Sequence, residues 1–187
     1  KIFNNVILKD KINNIKASGT EFILSTFDNK ILSKTKSNVI YKGTYDIHLN
    51  NFEYDINNQK ISSDDFVKIK DNINNYFELY EFLFDLKTNK FLGKEIIFLD
   101  NQQNKYLLNE VMISPDKDKL YGKEIKFFDS QQNKYLLNEV IINTDNDNLY
   151  GKDLNIEFNK SLFGNSNNDP RLKAKSVKIK DQSSFLK

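Results

Sequence analysis

Two consecutive stretches of the chain are nearly identical, and this duplication constrains the fold more than any other feature. Residues 93–121 and 122–150 align without a gap, and 21 of the 29 positions are the same. A third copy opens at Gly151 with the sequence GKDLNIEF. Repeats of this kind stack so that each unit buries its apolar face against its neighbours. The chain is therefore expected to be an array of such units.

The repeat also extends upstream of its near-identical part. Ile61, Phe91, Leu120 and Leu149 occupy one position, at spacings of 30, 29 and 29 residues. We predict that residues 1–187 form a single domain. Its predicted repeat units cover about 61–92, 93–121, 122–150 and 151–160, and a loop covers 161–173. Because the chain starts at Lys1 rather than Met, we expect it to be a fragment of a longer protein.

Comparison of the copies separates the two faces of each strand. Positions 96, 125 and 154 stay apolar, whereas the neighbouring positions 97, 126 and 155 change from Ile to Lys and Asn. Side chains alternate across a strand, so the positions that stay apolar are expected to face inward. The predicted inward residues are Phe82, Phe84, Ile96, Phe98, Val111, Ile113, Ile125, Phe127, Val140, Ile142, Leu154 and Ile156.

Repeated glutamates distinguish two possible all-β architectures. In a parallel solenoid, Glu81, Glu110 and Glu139 would stack at about 4.8 Å, which is unfavourable for like charges. In an antiparallel meander they lie two strands apart, at roughly 9.6 Å, and repel less. The sequence therefore predicts an all-β antiparallel jellyroll or V-shaped β-roll, built from hairpins of about 29 residues.

Glycine recurs in the middle of every second predicted strand, at Gly93, Gly122 and Gly151. Glycine within a strand commonly marks a bulge or a sharp bend. We expect these glycines to crease the sheet, so that the inward apolar rows line the crease.

Composition excludes several classes of function. The chain has no cysteine, and its net charge of +2 comes from interspersed Lys and Asp/Glu, which gives no nucleic-acid interface. His48 is the only histidine and falls on a predicted solvent face, so we predict no catalytic residue. The carboxylates lack the spacing of a calcium loop, so we predict no metal and no cofactor. Lys94, Lys123 and Lys152 either contact lipid phosphates or belong to a solvated face of mixed charge.

Two segments carry a resemblance to a known family. VIYKGTYDIHLNNFEYDINNQKISSDDFVKI and the repeated apolar-x-Gly-Lys-Glu/Asp pattern resemble the OstA-like domain of lipopolysaccharide-assembly outer-membrane proteins. FGNSNNDPRLKAKS is similar to a segment that ends this domain. The resemblance covers about residues 40–187.

The resemblance implies a periplasmic β-jellyroll, associated with the outer membrane of a Gram-negative bacterium. It implies a non-catalytic carrier whose apolar groove guides lipopolysaccharide acyl chains, with the twelve inward residues as its lining. The implied partners are other OstA-like jellyrolls, joined by edge-strand pairing, and an outer-membrane β-barrel in the same chain.

Two other classes of function stay open. A structural or adhesive β-repeat protein would have a closed, filled core and capped ends. An enzyme on a β-roll would need a specific pair of carboxylates, and no pair in the sequence has a spacing that singles it out.

Overall fold

The computed structural model describes residues 2–99, 105–115, 119–128, 132–143, 148–160, 170–180 and 183–186. These residues form antiparallel β-sheet, and no α-helix occurs among them. The predicted all-β fold is confirmed, as expected of segments rich in Phe, Tyr and Ile.

The strands are β1 (Ile2–Asp10), β2 (Ile15–Ser25), β3 (Lys30–Ser33), β4 (Ser37–Tyr41), β5 (Tyr45–Leu49), β6 (Phe52–Asp55), β7 (Lys60–Ser63), β8 (Val67–Lys70), β9 (Tyr76–Asp85), β10 (Lys90–Leu99), β11 (Lys105–Ser114), β12 (Lys119–Phe128), β13 (Lys134–Asn143), β14 (Leu149–Glu157), β15 (Arg171–Lys180) and β16 (Ser183–Leu186).

The chain divides into two compact units, Lys1–Lys94 and Glu95–Lys187, and β10 contributes to both. The sequence predicted one domain over residues 1–187, and that assignment stays a prediction. Within the predicted loop 161–173, residues 161–169 lie outside the described residues. Strand β15 begins at Arg171, so the last three residues of the predicted loop are strand.

In the first unit, the long strands β2 and β9 each pair with different neighbours along their two halves. The first half of β2 pairs with β4 and its second half with β3, while β9 pairs first with β8 and then with β7. Strands β4, β5 and β8 form one layer, which we call the tyrosine layer because it contains Tyr41 and Tyr45. Strands β3, β6 and β7 form the other, the serine layer, which contains Ser33 and Ser63.

Strands β2 and β9 pass from one layer to the other along a line that we call the crease. The pairs β3–β4, β5–β6 and β7–β8 cross it through the short connections 34–36, 50–51 and 64–66. Each of these pairs is therefore equivalent to one long strand that is interrupted at the crease.

The repeat begins closer to the N-terminus than the sequence pattern indicated. Ser33 pairs with Phe52, and Ser63 pairs with Phe82, at equivalent places in the serine layer. Both serines are buried. The Ser63 hydroxyl donates a hydrogen bond to the Asn50 carbonyl at 2.6 Å, which satisfies a polar group in the crease.

In the second unit, the strand order is β10-β11-β12-β13-β14-β15-β16, so that strands consecutive in sequence are neighbours. The pairs from β11 to β16 are antiparallel with continuous register. The antiparallel meander predicted from the repeated glutamates is thus confirmed, and the parallel solenoid is excluded for these strands.

Each long strand of the second unit changes its inward phase at its centre. On β12 the buried residues are Leu120, Gly122, Ile125 and Phe127, at intervals of two, three and two. Two adjacent residues at the centre, Lys123 and Glu124, are both exposed. Uninterrupted alternation would keep all inward residues at even intervals. The interval of three therefore marks a crease at which the strand turns from one layer into another.

The register defines two layers in the second unit. The glycine layer contains Gly122 and Gly151, and consists of the first halves of β12 and β14 with the second halves of β11, β13 and β15. The remaining halves form the leucine layer, which contains Leu108 and Leu137.

Two structural features recur at the crease in strands β10, β12 and β14, and the first is a left-handed backbone conformation. Glu95, Glu124 and Asp153 have left-handed backbone conformations, with φ of 50°, 52° and 54°. The sequence placed the bend at the glycines, but Gly122 and Gly151 do not have a positive φ. The left-handed residue instead lies two positions after each glycine.

The glycines make room for a leucine of the neighbouring strand. A Cβ atom on Gly122 would lie 2.5 Å from Leu108 Cδ2, and one on Gly151 would lie 2.1 Å from Leu137 Cδ2. These leucines belong to the opposite layer, so the contact shows that the two layers meet face to face at the crease. In the first unit, Leu79 fills the same space beside Gly93.

Candidate functional site

The candidate site is the apolar interior between the layers of each unit. All twelve residues predicted to face inward do so, and none is more than 8% exposed. Phe82 and Phe84 lie in the serine layer of the first unit. In the second unit, the leucine layer holds Ile96, Phe98, Ile125, Phe127, Leu154 and Ile156, and the glycine layer holds Val111, Ile113, Val140 and Ile142.

A row of aromatic rings crosses the leucine layer at the end away from the crease. Phe98 and Tyr106 have ring centroids 5.3 Å apart, Tyr106 and Phe127 are 5.4 Å apart, and Phe127 and Tyr135 are 4.3 Å apart. The rings of Phe127 and Tyr135 are nearly parallel, at 9°. Each such pair contributes about 0.5–1.5 kcal/mol beyond its area burial. This row forms a continuous line of rings across strands β10 to β13.

The sequence reasoning missed several inward residues. Tyr106, Leu108 and Leu137 are buried, and Tyr135 lies in the aromatic row. The signal was present, because both copies carry the same KYLLNEV segment. The interval of three at the crease hid it, since a strict period of two extended from Val111 or Val140 assigns the leucines to the outer face.

The interior of the second unit is closed to water in this conformation. Phe98 and Leu120 are 0% exposed, and Ile125 and Ile142 are 1% exposed. An open groove would leave its lining accessible to solvent, so side chains fill the space between the layers. Full burial of such a side chain stabilises a fold by about 1.5–3 kcal/mol.

The first unit has an aromatic core that joins its two layers. Tyr41 of the tyrosine layer lies 4.6 Å from Phe84 and 6.3 Å from Phe91, both in strands on the serine-layer side, as ring centroids. Tyr45 also contacts Phe91, at 5.2 Å. The two layers of this unit therefore pack directly on each other.

Hydrogen bonds from tyrosine hydroxyls join the two layers of the first unit at the ends of the strands. The Tyr41 hydroxyl donates to Asn89 Oδ1 at 2.6 Å, and the Tyr54 hydroxyl donates to Asp10 Oδ2 at 2.6 Å. Tyr54 belongs to the serine layer, whereas Asp10 pairs with β2 beside the tyrosine layer. Both bonds link opposite layers at the edge farthest from the crease.

The Tyr54–Asp10 bond shifts the pKa of both groups. Burial alone would raise the pKa of Asp10, but hydrogen bonds from Tyr54 and Asn13 outweigh it and leave that pKa lowered. Burial and the Asp10 carboxylate raise the pKa of Tyr54 well above its ordinary value of 10.0. The ionised aspartate and the neutral tyrosine are thus both favoured by folding.

The outer side of the crease carries paired charges. Lys94 lies 2.5 Å from Glu81, Lys123 lies 3.4 Å from Glu110, and Lys152 lies 2.7 Å from Glu139. All six side chains are more than half exposed, so each pair contributes little to stability. This arrangement favours the interpretation that these lysines belong to a solvated face of mixed charge, rather than to a surface that contacts lipid phosphates.

The last of these pairs also shifts its pKa values. The hydrogen bond from Lys152 lowers the pKa of Glu139, and the same bond raises the pKa of Lys152. Two other carboxylates on this outer side accept hydrogen bonds from asparagine side chains. Asn109 Nδ2 donates to Glu124 at 2.8 Å, and Asn138 Nδ2 donates to Asp153 at 3.1 Å.

Other candidate sites of the sequence have little supporting geometry. His48 is exposed, and its Nε2 lies 3.4 Å from Asp46 on the outer face of the tyrosine layer. Among the described residues, no three His, Asp or Glu side chains are grouped so that they could hold a metal ion. In the same part of the chain, no helix has the length and apolar character needed to cross a bilayer.

No family model matches the chain, and no curated protein matches it.

Proposed function

We propose that this chain is a non-catalytic carrier and bridge module for lipopolysaccharide on its way to the outer membrane. The acyl chains would lie between the two layers of the β-roll, against the apolar rows. The resemblance of residues 40–187 to OstA-like domains supports this assignment, as does the all-β meander. The same resemblance supports a periplasmic location beside the outer membrane.

The observation that carries the proposal is the way in which the layers of the second unit are joined. The backbone ladders run within each layer, and the chain crosses between layers within the strands, at the crease. Away from the crease, most of the buried side chains of this unit are apolar. We therefore propose that the two layers can move apart at the side opposite the crease, while the backbone hydrogen bonds within each layer stay intact.

Acyl chains suit such an interior for a physical reason. Separating the layers removes apolar contacts, and an acyl chain restores them at about 0.8 kcal/mol per buried CH₂ group. The aromatic row from Phe98 to Tyr135 offers a continuous surface across four strands. Weak contacts spread along a row let a chain slide, whereas one deep pocket would hold it.

The bridge part of the proposal rests on a free strand edge. Among the described residues, β1 pairs with β2 alone, so its other edge offers unpaired backbone groups. A second jellyroll could extend the sheet there by β-augmentation. The proposed partners are other OstA-like jellyrolls and an outer-membrane β-barrel in the same chain.

A second candidate is a structural or adhesive repeat protein with a permanently closed core. The burial of the twelve inward residues favours it, because they already fill the interior. In this case the layers would not separate, and the repeats would serve to build a stiff, extended surface.

A photo-crosslinking amino acid at Phe98 or Phe127 tests the first candidate in cells. We expect both positions to capture lipopolysaccharide, because both lie in the aromatic row. Lys126 is the matched control, since it neighbours Phe127 in sequence but lies on the other face of β12. Capture at Lys126 alone, or at no position in a variant that keeps its thermal unfolding transition, would refute the carrier and favour the closed core.

A further inference from the structure

One end of the first unit presents large apolar side chains directly to solvent. The turns at residues 11–14, 26–29, 42–44 and 56–59 form this end, which we call the turn end. Ile12 is 89% exposed and Phe27 is 95% exposed, and Ile56 is 41% exposed. A single exposed apolar residue is common, but three of them lie on turns of this one end.

Hydrogen bonds hold these turns side by side. Lys42 N donates to Asn14 O at 3.0 Å, and Ile56 N donates to Asn29 O at 3.1 Å. The Tyr54–Asp10 bond joins the turn at residues 11–14 to the opposite layer. The exposed apolar residues are therefore presented by a fixed set of turns.

Lysines cluster near the turn that carries Ile12. Lys9, Lys11, Lys16 and Lys42 line an open depression of about 480 Å³, which also includes Asn14 of that turn. Lys9 and Lys16 lie directly opposite each other on β1 and β2, which places two like charges together. Lys9, Lys11 and Lys16 make no ion pair with any described residue.

A single carboxylate of the depression, which is ionised, offsets one of these four lysine charges. Asp10, the one carboxylate that lines the depression, accepts the hydrogen bond from Tyr54. On the serine-layer side, Lys30 pairs with Glu53 at 2.7 Å, and Asp55 caps its own turn through Asn58. The surplus of positive charge thus lies on the side that carries Ile12, whereas the neighbour of Phe27 in sequence is Asp28.

We propose that the turn end docks on the surface of an anionic bilayer. Ile12 and Phe27 would enter the boundary between headgroups and acyl chains, and the four lysines would contact the lipid phosphates. An apolar residue beside lysines, as Ile12 is beside Lys11, is the pattern of proteins that lie on anionic membranes. A soluble polyanion would use the lysines but would leave both apolar tips in water.

The chain has no tryptophan, so a single substitution gives a specific optical probe. Phe27→Trp and Ile12→Trp are measured with vesicles of phosphatidylcholine and with vesicles of phosphatidylcholine mixed with an equal amount of phosphatidylglycerol. We expect the emission of both variants to shift to shorter wavelength on the anionic vesicles and to stay unchanged on the neutral ones. Ile141→Trp is the control, because Ile141 is exposed in the second unit, and its emission is expected not to shift.

The role of charge is tested by replacing Lys9, Lys11 and Lys16 with Gln in the Phe27→Trp background. We expect the triple substitution to lower the affinity for anionic vesicles roughly a hundredfold. Added salt should lower the affinity of the Phe27→Trp protein with intact lysines to a similar extent. The matched control replaces Lys173, Lys175 and Lys178 of β15 with Gln, and its affinity is expected to stay within about twofold.

Three results would overturn the proposal. The first is an unshifted emission of both probes on anionic vesicles, and the second is an equal shift of Ile141→Trp. The third is binding to inorganic polyphosphate without any shift on vesicles, which would assign the lysines to a soluble polyanion. None of these results bears on lipid capture at Phe98, so the two proposals fail independently.

Discussion

Tyr54 and Asp10 show how one residue pair fastens the two layers of the first unit. The pKa of Asp10 is lowered in the folded state, so its contribution to stability is present above its ordinary value of 3.8 and is lost as the pH falls through the folded value. The pKa of Tyr54 is raised, so its contribution is present below 10.0 and is lost as the pH rises through the folded value.

We predict that Tyr54→Phe lowers the free energy of unfolding by about 1–2 kcal/mol near neutral pH, because the Asp10 carboxylate loses a donor. The difference from the parent should shrink as the pH falls below about 4, where Asp10 becomes protonated in the unfolded chain. Urea unfolding at a series of pH values measures it. Tyr150→Phe, at an exposed position, is the control and should change stability by no more than about 0.5 kcal/mol. A pH-independent difference would contradict the assignment.

The left-handed residues of the crease are a second feature at the scale of single residues. Glu124 has φ of 52°, a conformation that costs most L residues about 1–2 kcal/mol and that Asn adopts more readily. We predict that Glu124→Asn is at least as stable as the parent and that Glu124→Val is less stable by about 1–2 kcal/mol. Thermal unfolding of the two variants measures the difference.

Position 126 provides the internal control for this prediction. Lys126 lies in ordinary strand on the same β12, where Val is favoured over Asn. The order of the Asn and Val variants should therefore reverse between positions 124 and 126. The same order at both positions would show that position 124 is ordinary strand.

At the scale of strands, the crease depends on a fit between glycine and leucine. Leu108 of the leucine layer occupies the space that a Cβ on Gly122 would take. We predict that Gly122→Ala destabilises the protein by about 1–3 kcal/mol through overpacking, and that Leu108→Ala relieves part of this cost. The two changes should therefore couple in a double-mutant cycle measured by urea unfolding.

A matched cycle uses Leu108 with Gly151. Gly151 faces Leu137 rather than Leu108, so Leu108→Ala and Gly151→Ala should be additive within about 0.5 kcal/mol. Equal coupling in both cycles would mean that the effect is general loosening of the core. In that case the contact across the crease would not be its cause.

Much of the strand arrangement could be predicted from the sequence, because the chain contains its own comparison. The copies assigned Ile125 and Phe127 to the interior, and the repeated glutamates favoured antiparallel pairing. Both predictions are confirmed. The sequence reasoning missed the copy that contains Ser33, because a serine stands there where the later copies have Gly and the strands on either side of it are short.

The position of the bend could not be predicted in detail. Glutamate carries no signal for a left-handed backbone, whereas glycine does, so the bend was placed at Gly122 rather than at Glu124. The inward leucines were missed for a related reason, since a change of phase within a strand is invisible to a strict period of two. The fastening of the first unit by Tyr54 and Asp10 depends on contacts 44 residues apart in sequence, which no local pattern reveals.

At the scale of the whole molecule, both units are built from strands that are creased in the same way. Strands are creased near their centres, their apolar halves face each other, and polar residues occupy the outer side of the crease. The first unit adds hydroxyl bonds from Tyr41 and Tyr54 between its layers. In the second unit the corresponding edge carries the aromatic row, and our proposal has the acyl chain enter at this edge.

Separation of the layers is therefore the central claim, and it can be measured directly. The chain has no cysteine, so spin labels can be attached at chosen positions. Phe128 in the leucine layer and Ile141 in the glycine layer are both exposed, at 38%, and labels there report the distance between layers. Tyr121 and Lys178 both lie in the glycine layer, three strands apart, and serve as the control pair.

The distances between the two spin labels of each pair are measured by pulsed electron–electron double resonance, with and without lipopolysaccharide. The carrier account predicts that the Phe128→Cys/Ile141→Cys distance increases when lipid is added, while the Tyr121→Cys/Lys178→Cys distance stays at its lipid-free value. An unchanged distance between the layers at saturating lipid would contradict the account and leave the closed-core repeat protein as the function of this chain.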